Sequence, residues 1–166
     1  MWPVTASFLA ALARPHTVTL RAKAFRGTAD LGELVVAGGT IRIDGAGLDA
    51  RSVDYTAILG RAVEVNAGLW ARQLQVVMGA FSVTHDSGVT DGTPQATPLA
   101  PGEPAPAFAL DVSQLGGLYA GRITLVGTEA GLGVRNAGQV LASAGPLVVS
   151  HEGWLSNTGR FQARGG

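Results

Sequence analysis

Arg135-Asn136-Ala137-Gly138-Gln139-Val140-Leu141-Ala142 is answered 21 residues later by Ser156-Asn157-Thr158-Gly159-Arg160-Phe161-Gln162-Ala163. Asn136 falls on Asn157, Gly138 on Gly159, Val140 on Phe161 and Ala142 on Ala163. Upstream the relation continues at an offset of 22, with Leu125 over Leu147 and Gly131 over Gly153. Short apolar runs and Gly/Asn turns recurring every 20 to 25 residues or so suggest a solenoid, in which each repeat buries its apolar face against the next. The period recurs in the other half of the chain. Ile41-Arg42-Ile43-Asp44-Gly45-Ala46-Gly47-Leu48-Asp49-Ala50 returns as Val63-Glu64-Val65-Asn66-Ala67-Gly68-Leu69-Trp70-Ala71, first at 22 and then at 21.

Alternation gives the repeat its physical meaning. Successive side chains of a strand point to opposite faces, so Ile41, Ile43, Val63 and Val65 face inward while Arg42 and Glu64 face outward. Coils stacked about 4.8 Å apart set Arg42 beside Glu64 on the outer wall. Asn66, Asn136 and Asn157, with Gly68, Gly138 and Gly159, are read as corners, because Asn tolerates a left-handed backbone and can bond its own main chain.

The composition fits many short strands joined by tight turns: 46% hydrophobic, 14% charged, 24 Gly and 8 Pro in 166 residues. That length supports one domain with a core. Lys+Arg and Asp+Glu are both 12, so net charge gives no case for nucleic acid or an acidic membrane surface. With no Cys there are no disulfides and no thiolate metal sites.

Along the chain, residues 1–30 read as a poorly determined N-terminal segment. Its apolar run Phe8-Leu9-Ala10-Ala11-Leu12-Ala13 lacks the preceding basic residue of a secretory signal and is too short to span a bilayer. Residues 31–166 read as the solenoid. Strand-like runs appear at Val18-Thr19-Leu20, Leu34-Val35-Val36-Ala37, Thr40 to Ile43, Val53 to Leu59, Ala62 to Val65 and Gln73 to Val77, with no persuasive amphipathic helix. Residues 82–107 hold Pro94, Pro98, Pro101, Pro104 and Pro106. They read as an extrahelical loop, because proline cannot donate to a ladder and the strand pattern resumes beyond it. About five coils of roughly 22 residues follow, a rod about 25 Å long.

Candidate chemistry is sparse. Gly45-Ala46-Gly47-Leu48-Asp49-Ala50 matches the G-x-G-x-x-A dinucleotide fingerprint. However, the strand before it alternates, and its repeat partner drops the first Gly, as a plain turn would. His85-Asp86-Ser87 has the residue types of a hydrolase triad, but a triad needs distant residues that converge. His16 and His151 stand alone, and no cofactor or metal is expected. Asp44, Asp49 and Asp54 could line a groove, which is the basis of an alternative reading as a carbohydrate-active β-helix enzyme. Trp70, Tyr119 and Trp154 could hold sugars or pack at coil corners.

The repeat phrases, together with Ala109-Leu110-Asp111-Val112, Leu115-Gly116-Gly117-Leu118-Tyr119-Ala120 and the run from Ile123 to Gly138, closely resemble the secretion-domain region of filamentous haemagglutinin-like exoproteins. The resemblance covers roughly Gly32 to Phe161. It implies an all-β, right-handed parallel β-helix in a two-partner-secretion protein of Gram-negative bacteria, exported to the cell surface by an outer-membrane transporter. Members are adhesins, haemagglutinins or stalks of contact-dependent growth-inhibition toxins, virulence factors whose toxic activity lies at a distant C-terminus. On this reading the chain is not an enzyme and binds no nucleic acid, and its full-length parent meets a receptor on a host or neighbouring cell. The family phrase Asn-Pro-Asn-Gly-Ile does not occur here, so the chain is expected to be an N-terminally truncated piece whose uncapped β-helix ends self-associate.

Overall fold

The computed structural model describes residues 6–10, 23–25, 33–52, 54–84, 96–101 and 104–165, and every regular element among them is a strand. Val18-Thr19-Leu20, His16 and His85-Asp86-Ser87 lie outside the described residues. Before the winding come β1 (Ala6–Ala10), β2 (Lys23–Phe25) and β3 (Glu33–Val36). Coil 1 is β4 (Thr40–Ile43), β5 (Leu48–Ala50) and β6 (Tyr55–Gly60); coil 2 is β7 (Ala62–Val65), β8 (Gly68–Ala71) and β9 (Gln73–Met78). An excursion with β10 (Phe81–Thr84) and β11 (Ala96–Pro98) follows. Coil 3 is then β12 (Leu110–Val112), β13 (Gly117–Ala120) and β14 (Arg122–Gly127). Coil 4 is β15 (Val134–Asn136), β16 (Gln139–Ala142) and β17 (Leu147–Ser150), and coil 5 is β18 (Leu155–Asn157) and β19 (Arg160–Ala163).

Equivalent strands pair in parallel from coil to coil, giving a parallel β-helix with three walls: β4-β7-β12-β15-β18, β5-β8-β13-β16-β19 and β6-β9-β14-β17. The interior is a set of columns. Ile41, Val63, Leu110 and Val134 stack on the first wall, and Leu69, Leu118 and Val140 on the second. Ile58, Val76 and Leu125 stack on the third, and all these side chains are buried. Each full burial of such a side chain is worth roughly 1.5–3 kcal/mol, so the stack is held by repetition of one small gain. Where the second wall meets the third, all five coils carry alanine: Ala50, Ala71, Ala120, Ala142 and Ala163. In coils 2 and 3 a single residue separates the two strands at this corner, which leaves room inside for little more than a methyl group.

Several expectations hold in detail. Arg42 lies opposite Glu64, and Asn136, Val140 and Ala142 lie opposite Asn157, Phe161 and Ala163. Others are corrected. Leu125 stacks on Val149, not Leu147, because coils 3 and 4 are offset by 24 on the third wall. Between coils 1 and 2 the same wall is offset by only 18. Corner lengths vary while the strands stay in register.

The asparagine corners are not left-handed, since among the described residues positive φ is confined to glycine. Asn136 ends β15 with its side chain fully buried, in the inward column of Val65 and Val112. Its amide donates to Asn157 Oδ1 at 2.9 Å and to the Arg160 carbonyl at 3.2 Å, and its Oδ1 accepts the Gly138 N–H at 3.2 Å. The polar group is tolerated inside because every one of these bonds stays within the corner. Replacing Asn136 by Val, the residue two coils already use there, is expected to cost about 1–3 kcal/mol, because the buried Gly138 N–H loses its acceptor. Asn157→Ala should cost under about 1 kcal/mol, since its position is open to water. Urea titration of the two variants measures the difference.

The proline-rich excursion is not strandless, and Leu34–Val36 is not a coil strand. β10 pairs antiparallel with both β3 and β11, forming a small sheet over the third wall. Pro98 is accommodated because it ends an edge strand, where a missing N–H breaks no ladder, and the next donor, Leu99 N–H, reaches the Ala80 carbonyl at 2.9 Å. This cover accounts for a second core of Val36, Tyr55, Ala57, Leu59, Val77 and Phe81. It also explains why every residue of β6 is buried while first-wall strands alternate. Residues 6–10 and 23–25 contribute as well. β1 pairs in parallel with β6, and β2 then pairs with β1 antiparallel. That reversal of polarity ends the parallel stacking at this edge, which is therefore not a bare strand.

Candidate functional site

The turn that matched a nucleotide fingerprint joins β4 to β5, with Gly45 at φ 64° and Gly47 at φ 79°. A strand follows it, not the helix whose N-terminus a pyrophosphate requires. A side chain at Gly47 would collide with the Gly68 carbonyl of the next coil. The glycine therefore serves stacking.

The three carboxylates of the enzyme reading occupy different parts of coil 1. Asp44 follows β4 and accepts a bond from Asn66 Nδ2 at 2.8 Å. Asp49 stands in β5 and is gripped by the Arg51 guanidinium at 2.9 and 2.6 Å, with the Arg51 N–H at 3.1 Å. Asp54 precedes β6 and receives Arg72 Nη1 at 3.0 Å. A glycosidase needs two carboxyls flanking one bond, one of them kept protonated. Here each is engaged separately, and Asp49 is pushed the opposite way, its pKa held down to about 2 by the Arg51 side chain first and then the Arg51 N–H. The sign follows: a depressed carboxyl adds stability above the ordinary Asp range, and that contribution is lost as pH falls through about 2. Carbon-detected NMR titration should find Asp49 still ionised at pH 3, and Arg51→Ala should raise it toward, but not fully to, the usual value near 3.9, because the residue 51 N–H still donates to it.

Of the aromatic candidates, Trp70 and Tyr119 occupy adjacent coils and stack on each other, with centroids 5.9 Å apart at 15°. The Trp70 ring overlies Gly68 and the Tyr119 ring overlies Gly117. Trp154 meets Phe108 edge-on at 5.3 Å, and Arg135 lies 4.2 Å over the Phe108 ring. These rings are spent on one another across coils. His151 accepts the Gly153 N–H at 3.1 Å and so belongs to a turn. Among the described residues no three His, Cys, Asp or Glu side chains converge to hold a metal.

Outward positions of the first wall form a ladder, Arg42, Glu64, Asp111, Arg135. Arg42 donates to Glu64, and Arg135 grips Asp111 with both Nε and Nη2. The column is neutral and half exposed, worth little to stability and offering no net charge to a partner.

Of the named corner residues, Asn136 with Gly138 and Asn157 with Gly159 flank the same corner in successive coils. Asn66 lies one place further on, after Val65, the residue in the Asn136 column. Gly68 opens β8. A pair missed in the sequence is Arg61 with Glu129, buried between the cover and the solenoid. An arginine set between the apolar runs of β6 and β7 was its available signal.

Fold and surface together define a parallel β-solenoid with one wall covered, whose polar groups support its own stacking and converge on no reactive centre among the described residues. The chain belongs to the TPS secretion domain family, whose model matches residues 5–157. It is 44% identical over 127 residues to Toxin CdiA of Yersinia pestis, covering 75% of this chain and 4% of that protein. Its identity to tRNA nuclease CdiA-2 of Burkholderia pseudomallei is 46% over 125 residues, again 75% of this chain and 4% of that one. The solved filamentous hemagglutinin secretion domain is similar in structure, with a TM-score of 0.65 and 28% identity over 81% of this chain and 52% of that chain. The chain thus spans about 4% of the curated relatives it matches.

Proposed function

We propose that this chain is the export-directing part of a large surface protein, an adhesin or contact-dependent inhibition toxin, recognised by an outer-membrane transporter and without catalysis of its own. The single observation that carries this reading is the family match across residues 5–157. The separately engaged carboxylates support the non-catalytic part, since general acid–base work needs groups poised around one reacting bond. On this reading the nuclease activity in some relatives' names belongs elsewhere in those much longer proteins.

The test places the chain behind a Sec signal peptide and ahead of a reporter, in a Gram-negative host with or without a two-partner-secretion transporter. Reporter reaching the cell surface or medium only with the transporter supports the proposal; equal amounts with and without it would overturn it. Among the described residues β17, β18 and β19 are the outermost strands of their sheets, and in the isolated chain such edges favour association with a further strand-bearing surface. Sedimentation should therefore show concentration-dependent self-association, and a strictly monomeric chain would count against it.

A further inference from the structure

We propose that the open edge of β11, with the groove beside it, takes an extended peptide strand of a partner protein whose basic side chain lies at the Pro98 end. The cover sheet runs β3-β10-β11 and stops there, so among the described residues one side of β11 has no neighbour. The register tells which groups that side presents. Pro98 faces Phe81, Thr97 faces Ser82 and Ala96 faces Val83. One step on, Leu99 donates its N–H to the Ala80 carbonyl at 2.9 Å. Bonded rungs of an antiparallel pair alternate with unbonded ones, so Thr97, like Leu99, turns its backbone groups toward β10. Ala96 and Pro98 turn theirs away. The free edge thus presents the Ala96 N–H and carbonyl and the Pro98 carbonyl. Proline supplies no N–H, which limits the edge to a short guest and keeps it from seeding open-ended growth.

Beside this edge lies a groove of about 560 Å³, bounded by Ala96, Pro98 and Leu99 on the cover and by Val126, Ala130 and Glu152 on coils 3 and 4. Its size falls in the range of ligand pockets, roughly 300–1,000 Å³. Residues directly opposite on paired strands share a face, and Phe81 is buried in the second core, so Ala96 and Pro98 look down toward the solenoid. Every second side chain of an added strand would do the same, above the half-buried Val126. The Pro98 end lies by Thr128, whose Oγ1 is 3.3 Å from the Ala80 carbonyl that also binds Leu99. Glu152 stands at that end too, because its carbonyl accepts the Gly131 N–H at 3.1 Å, stacking it on the corner of Thr128 and Glu129. The Glu129 carboxylate is engaged by Arg61 at 2.9 Å. Glu152 is exposed and forms no ion pair among the described residues.

These features select the occupant. A free main-chain edge above alternating side-chain sites is the geometry of strand addition, and the lone Glu152 carboxylate asks for lysine or arginine on the guest. A second copy of this chain does not fit. A strand added here continues the cover over coils 3 and 4, and each cover strand of a second copy brings its own coils on that same face, where the two solenoids would collide.

The probe is the acetylated, amidated peptide Lys-Thr-Val-Thr-Val-Thr, which in antiparallel pairing sets its valines opposite Pro98 and Ala96 and its lysine toward Glu152. A control peptide begins with Glu instead of Lys. Each is titrated into the isotope-labelled 166-residue chain and followed by amide NMR and hydrogen exchange. The lysine peptide should protect the Ala96 amide and bind about fivefold more tightly than the control. In Glu152→Gln the two should differ by less than about twofold. Equal binding of both peptides to the parent, a contrast that survives Glu152→Gln, or no protection of the Ala96 amide would overturn the proposal. So would Ala96 protection that rises with protein concentration alone, the mark of a second copy at this edge.

Discussion

Gly138→Ala should remove more than about 3 kcal/mol of unfolding free energy, whereas Gly145→Ala should shift it by less than about 0.5 kcal/mol. Both substitutions add one methyl group to a glycine whose φ is not positive. At Gly138 that methyl would sit 2.2 Å from the Gly116 carbonyl oxygen and 2.4 Å from that of Ser113. Backbone atoms of the coil beneath cannot step aside without opening the stack. At Gly145 the nearest atoms are 3.5 Å away on the Arg122 side chain, an ordinary contact. Gly159 stands in the same relation to Gly138, its added carbon 2.1 Å from the Gly138 oxygen. Urea denaturation of the two alanine variants checks the contrast, and similar losses at both sites would show that coil spacing does not depend on this corner.

Phe81→Ala is expected to cost about 3–5 kcal/mol, the range for deleting a buried aromatic side chain. Phe81 is fully buried and joins β10 to Tyr55, Leu59 and Val77 in the second core. Its loss should loosen the cover before the coils. Denaturation followed by Tyr55 solvent exposure should then begin at lower urea than denaturation followed by the Trp70–Tyr119 stack. A single shared transition would mean that cover and solenoid unfold as one unit.

The coil path was legible in the sequence wherever inward positions recur with the same chemistry. Ile41/Val63 and Val140/Phe161 are such pairs, and both proved to be wall partners. Corner lengths were not legible, because turn residues face water and leave no apolar column to count. Hence the repeat offset sets Leu125 over Leu147, two residues from its true neighbour Val149. Asn136 looked like a turn residue because polarity is normally an outward signal. Only coordinates show that its amide is satisfied inside by Asn157 and Arg160. The cover was obscured by its prolines, although the near-continuous apolar run Tyr55-Thr56-Ala57-Ile58-Leu59 carried the mark of a strand buried on both faces. For the candidate site, the sequence correctly set Arg42 against Glu64. It could not foresee Arg61 with Glu129, because they stand 68 positions apart with the whole excursion between them.

The order of charges on the first wall, positive, negative, negative, positive, divides the rod into two self-neutral halves. Glu64 and Asp111 meet at the join, and like charges directly opposite one another push strands apart. Axial tension would bear hardest on that seam, the same place where the polypeptide does not run straight from one rung to the next. Arg61 and Glu129 straddle it from the neighbouring corner, where the third wall meets the first, a rivet set where the wall is weakest.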